Sequence, residues 1–156
     1  MLFRSVYVIP VSAVSGTTAA KATSTIVGNS ATDYAGFSVA CPGDLDGDGK
    51  EDLLFSSYND GTASTSSGTS YIFYGSTSAW GSTTTSLADA SFTGEASGDR
   101  AGYTVGAPGD VTGDGVGDIL IGATYNDAGG TDAGALYLWR SEEHTSELQS
   151  PCNLVC

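Results

Sequence analysis

Asp44-Leu45-Asp46-Gly47-Asp48-Gly49-Lys50-Glu51-Asp52 sets carboxylates at positions 1, 3, 5 and 9 of a nine-residue stretch. Four carboxylates within about 5 Å of one another repel by roughly 3 kcal/mol per pair at an effective dielectric of about 20, and the stretch contains no Arg. A bound cation relieves that repulsion. Asp oxygens at short, uneven spacing suit calcium, a hard ion that accepts many oxygens in a forgiving geometry, better than zinc, which favours His and Cys. Gly49 permits the turn, and Lys50 at position 7 is expected to offer its main-chain carbonyl. A run of Asx turns on a solvated surface is the plainer alternative.

Recurrence decides between them. Sixty-six residues further on, Asp110, Asp114, Gly115 and Asp118 stand in the same frame, with Thr112 at position 3 and Val116 at position 7. The candidate ligands are therefore Asp44, Asp46, Asp48, Lys50 and Asp52 in one loop, and Asp110, Thr112, Asp114, Val116 and Asp118 in the other. Ligand charge tunes affinity in such loops, so carboxylate count alone predicts tighter binding at the first. The match extends outward: Ala35-Gly36-Phe37-Ser38-Val39 answers to Ala101-Gly102-Tyr103-Thr104-Val105, and Gly68-Thr69-Ser70-Tyr71 to Gly134-Ala135-Leu136-Tyr137. A period this long means stacked repeats. An EF-hand loop would need a Glu at position 12 followed by a helix, but Phe55 and Ile121 stand there. The runs Leu53-Leu54-Phe55 and Ile119-Leu120-Ile121 read as short buried strands.

These residues resemble the FG-GAP repeats that build the β-propeller of integrin alpha subunits and of many bacterial secreted proteins. That pattern places an aromatic-Gly pair before a strand, then D-x-[DN]-x-D-G-x-x-D, then an apolar strand. Gly36 and Gly102 keep the glycine, with Ala35 and Ala101 at the aromatic position. The resemblance implies an all-β fold, a fragment of a β-propeller with about two four-stranded antiparallel blades present. It also implies calcium loops on one face and partner-binding loops on the other, at 58–69, 94–101 and 125–134.

Along the chain, residues 1–5 and 140–156 resemble translated sequencing-library adapter, which removes His144, Cys152 and Cys156 from consideration. Residues 6–24 are expected to be the end of a preceding blade and a linker, since Tyr7-Val8-Ile9 precedes Tyr71-Ile72-Phe73 by nearly one repeat. A signal peptide over residues 1–16 is the other reading of that end. Residues 25–86 form a first blade with loop 44–52, and residues 87–139 a second with loop 110–118. Strands are expected near 37–40, 52–57 and 69–74, with 87–93 supplying the outermost one. Phe37, Leu54, Phe55, Ile72, Ile119, Ile121 and Leu138 are the expected packing between blades. The Ser/Thr-rich stretch 76–86 reads as a solvated loop, and Cys41, before Pro42, as a small buried side chain. Tyr58-Asn59-Asp60 and Tyr125-Asn126-Asp127 look equivalent, slipped to an offset of 67.

Eighteen acidic against five basic residues give a net charge of −13. That balance argues against nucleic acid and anionic membranes as partners, and no stretch is long and apolar enough for membrane insertion. Without His144 there is no Ser-His-Asp or Cys-His arrangement, so the expected protein is not an enzyme. Two functions fit: a calcium-binding extracellular module for protein recognition or cell adhesion, contacting a protein or glycan, or a non-catalytic propeller domain of a secreted hydrolase or lyase.

Overall fold

The computed structural model describes residues 5–9, 22–61 and 63–140. Ten strands fall into three sheets, with one short 3-10 turn at Thr85–Leu87 and no α-helix among the described residues. Among the described residues no helix is long and apolar enough to cross a membrane. The central sheet is a complete four-stranded antiparallel blade in the order β3 (Val39–Gly43), β4 (Asp52–Ser57), β5 (Thr69–Phe73), β7 (Ala90–Thr93). On one side of it lies the sheet of β8 (Ala101–Gly109), β9 (Asp118–Ala123) and β10 (Ala135–Trp139), also antiparallel. On the other lie β1 (Ser5–Val8) and β2 (Ser24–Val27), joined by β6 (Gly81–Thr84). This is the architecture of propeller blades.

Side chains alternate between the faces of a strand, and β4 and β5 are apolar on both because each face is covered. Leu54 and Ile72 join Ala101, Ile119, Ile121 and Tyr137 in the core between the central and second blades. Phe55, Tyr71 and Phe73 face the other way, onto Val6, Ile26 and Ala35. Leu54 and Phe55 are both fully buried, and burial of such a side chain contributes about 1.5–3 kcal/mol. Two of the expected packing residues lie outside the buried cores, although Phe37 still meets Tyr103 of the second blade, 5.2 Å between ring centroids. Phe37 is 40% exposed and Leu138 only half-buried, because Phe37 sits in the turn before β3 and Leu138 projects from the face of β10 away from the core.

The recurrence of Gly36 as Gly102 has a steric cause. Both adopt positive φ, +81° and +83°, and a Cβ on Gly102 would lie 2.7 Å from Ser56 Cβ and Ser70 Oγ of the central blade. A Cβ on Gly36 would meet Val6 Cγ2 at 3.0 Å on the preceding sheet. Each glycine lets one blade's entry turn rest on its neighbour.

The sheets divide the chain differently from boundaries at 24/25 and 86/87. β2 pairs with β1, and β7 pairs with β5, so each outermost strand belongs to the sheet before it. β1 is a strand paired with β2 in antiparallel register, Val6 opposite Ile26; residues 10–21, which hold the end of the alternative signal-peptide reading and most of the expected linker, and the adapter-like segments 1–5 and 140–156 apart from Ser5 and Arg140, lie outside the described residues. The stretch 76–86 is not a loop throughout. β6 runs parallel to β2, Thr25 opposite Ser82, covering an edge whose main-chain groups would otherwise be unpaired. Its Ser and Thr side chains carry no apolar alternation, so nothing in the composition marks it as a strand. Cys41 is exposed rather than buried. Strand alternation turns Pro42 inward instead, where Gly117 packs on its carbonyl.

Candidate metal centre

Each acidic loop joins the first strand of a blade to its second, β3 to β4 and β8 to β9. Position 1 organises the turn. Asp44 accepts hydrogen bonds from the main-chain N–H groups of Gly47, Asp48 and Gly49 at 2.8, 3.1 and 2.7 Å. Asp110 accepts from Gly113, Asp114 and Gly115 at 2.5, 3.2 and 2.8 Å. Folding three amides around one carboxylate needs positive φ at alternate residues, and glycine supplies it in both loops. The amides, that of Gly49 foremost, hold the Asp44 carboxyl below its ordinary range, and the Gly115 amide does the same for Asp110.

Position 9 closes each loop from beneath. Asp52 is buried and accepts from Leu45 N–H at 2.7 Å through Oδ2, and from Gly75 N–H at 2.7 Å through Oδ1. Burial, then the charges of Asp46 and Asp44, push its carboxyl up despite those bonds. Asp118, fully buried, accepts from Val111 and Thr112 N–H at 2.8 and 3.2 Å through Oδ2. Its Oδ1 has no partner among the described residues; the position matching Gly75 is Ser141, outside them.

Positions 3 and 5 face outward. Oxygens of Asp44, Asp46 and Asp48 lie within 4.8 Å of one another, an all-oxygen set suited to calcium. In the second loop Thr112 Oγ1 lies 3.0 Å from Asp114 Oδ2 and 3.4 Å from Asp110 Oδ1. At position 7 the two loops differ. Val116 offers only its main chain, its N–H donating to Asp114 Oδ1 at 2.8 Å, whereas the Lys50 ammonium forms an ion pair with Asp48 Oδ2.

At the opposite ends of the strands the loops are held by buried polar groups that the Tyr-Asn-Asp triplets contain but pair out of register. Asp60 is buried and accepts from Tyr71 Oη at 2.5 Å. Asn126, also buried, donates to Tyr137 Oη at 3.2 Å and to Asp99 Oδ2 at 3.0 Å. Gly68 N–H donates to the Asp60 carbonyl and Gly134 N–H to that of Asn126. Asp60 and Asn126 are thus equivalent at the common offset of 66, and the apparent Tyr-Asn-Asp correspondence at 67 is not structural. The constant offset of the flanking glycines was the available signal. Burial, with the charges of Glu95 and Asp99, pushes the Tyr137 phenol up to about 12.

Around these loops aromatic rings form a continuous row across both blades. Tyr34 stacks on Tyr58 at 5.2 Å, Phe37 meets Tyr58 at 4.4 Å, and Tyr103 meets Phe37 and Tyr58 at 5.2 Å each. Tyr125 continues the row 6.3 Å from Tyr103, with the Arg100 guanidinium 4.4 Å above its ring.

The sequence profile of the FG-GAP repeat matches residues 36–73 and 101–139. This is an FG-GAP repeat protein. Each FG-GAP match spans three strands and one acidic loop, β3 to β5 and β8 to β10, while the blade-closing strand β7 falls between the two matches. No curated protein matches the chain. At the five expected ligand positions the two loops differ only in Asp46 against Thr112 and Lys50 against Val116.

Proposed function

We propose that this FG-GAP propeller module binds calcium at both acidic loops and works outside the cell in protein recognition or adhesion. The observation that carries the reading is the duplicated loop geometry. A first-position Asp is held ionised by three amides, a buried ninth-position Asp lies beneath, and outward oxygens converge within 4.8 Å in the first loop. Asp44, Asp46, Asp48 and Asp52 would hold one ion, with the carbonyl of Lys50; Asp110, Thr112, Asp114 and Asp118 would hold the other, with the carbonyl of Val116. Calcium there supplies charge neutralisation and ties the ends of paired strands together. Extracellular modules of this loop chemistry bind at about 10⁻⁴ to 10⁻³ M, which is useful where calcium is abundant.

The aromatic row supports the recognition half of the reading. It lies at the strand ends opposite the acidic loops, and Phe37 and Tyr125 keep 40% and 39% of their surface exposed. Such rings offer stacking area to a protein or glycan at small entropic cost. Calorimetric titration with calcium tests the metal sites: saturable binding of two ions supports the reading, and no binding, or preference for zinc, overturns it. Protein and glycan arrays probed with the wild type and a Tyr58→Ser, Tyr125→Ser variant test the surface, with loss of calcium-dependent signal expected in the variant.

A further inference from the structure

The two acidic loops differ in what occupies the fifth-position carboxylate. In the first, Lys50 engages both oxygens of Asp48: its N–H donates to Oδ1 at 2.9 Å and its ammonium pairs with Oδ2. In the second, Val116 N–H takes the same place on Asp114 Oδ1 at 2.8 Å, but Oδ2 meets the Thr112 hydroxyl at 3.0 Å. These neighbours respond differently to an arriving cation. A hydroxyl can rotate its proton away and present a lone pair. An ammonium has no lone pair and must leave.

We propose that Lys50 is an internal counter-cation of the first loop, which calcium must displace from Asp48, and that it sets the relative affinity of the two sites. The inference rests on the calcium reading of the loops. Over the ligand positions, four carboxylates and one ammonium leave the first loop with the same formal charge as the three carboxylates of the second. At the ligand positions Lys50 thus offsets the extra Asp46, and the first loop keeps over the second only the charge of Glu51, which stands at position 8 where the second has Gly117, so the two affinities are drawn together. The ammonium stands in the combined field of Asp48, Asp46 and Asp44, so its removal uncovers all three. The Lys50 and Asp48 side chains are each about one-third exposed, so solvent screens the pair and the effect is a modest one.

The test uses the full chain and calcium alone, with wild type, Lys50→Met and Val116→Lys compared by calorimetry and by the NMR signal of the lysine ε-methylene. Lys50→Met should tighten one class of site by roughly two- to fivefold, the factor that corresponds to a screened surface ion pair. Val116→Lys should weaken the other class by a similar factor. In the wild type, calcium should shift the Lys50 ε-methylene signal towards that of a free lysine. Two bound ions with affinities unchanged in both variants would overturn the role of Lys50 while leaving the loops as calcium sites. Absence of binding in every variant would overturn the calcium reading itself.

Discussion

Tyr71 Oη donates to Asp60 Oδ2 at 2.5 Å, and both residues are buried. Burial raises the Tyr71 phenol above its ordinary range, and the neighbouring Asp60 carboxylate adds to the shift. The phenol thus remains a proton donor throughout the physiological range. It pins the turn after β4 to the strand β5 that follows. One repeat later the same position is held by an amide, Asn126, against Tyr137. A carboxylate and an amide therefore serve one geometric purpose, which is to close the loop from inside.

Replacing Asp60 by Asn should accordingly be tolerated, with stability within about 1 kcal/mol of wild type, because the amide oxygen still accepts from Tyr71. Asp60→Ala leaves the buried hydroxyl unsatisfied and should cost about 1–3 kcal/mol. Urea denaturation of the two variants gives the comparison. Equal loss in both would mean that the charge, rather than the hydrogen bond, holds the turn.

Calcium removal should lower the melting temperature. At a calcium concentration one hundred times the dissociation constant, one site adds about 2.7 kcal/mol, a large part of a typical stability of about 5–15 kcal/mol. Asp48→Ala should remove the increment of the first loop and leave that of the second. Scanning calorimetry with and without EDTA measures both, and a melting curve indifferent to EDTA in the wild type would exclude a stabilising role.

Acidification without calcium probes the first-position carboxylates. Asp44 and Asp110 have folded-state values below the ordinary 3.8, so the stabilisation they provide is present above 3.8 and is lost as pH falls through the lower folded values. The buried Asp52 runs the other way, since its raised value favours the protonated form in the folded state and its cost eases on acidification. In EDTA, the combined Asp44→Asn, Asp110→Asn variant should melt below the wild type at neutral pH, and the gap should narrow as pH falls below about 3.8 and close below the lower folded values. A gap independent of pH would point to lost packing instead.

Close approach at Gly102 should be detectable by a single methyl. Gly102→Ala combines positive φ with contact against Ser56 and Ser70 and should cost about 2–4 kcal/mol. Gly109→Ala has a similar φ of +85° with open space around it, so it should cost about 1–2 kcal/mol from backbone strain alone. Denaturant midpoints of the pair separate the two contributions; similar losses would mean that the blades yield at Gly102.

Much of this molecule was legible in the sequence because its signals are local. The acidic loops announce themselves through carboxylates and glycines that meet within one turn, and β4 and β9 through short apolar runs directly after them. The 66-residue period places the glycines on which neighbouring blades rest. What lies across a sheet is not written in the neighbouring residues. β6 is a strand because the open edge of β2 accepts it, although its Ser and Thr residues read as loop. Cys41 is exposed and Pro42 buried according to which face of β3 meets the second blade. Asp60 and Asn126 are equivalent because each faces a buried tyrosine on the next strand, a relation that a search for identical triplets misaligns by one residue. Turn chemistry and strand propensity act between residues close in the chain, so sequence alone determined the repeats, the loops and the class of fold. Edge pairing and burial depend on groups brought together by chain closure, and those only the tertiary structure decided.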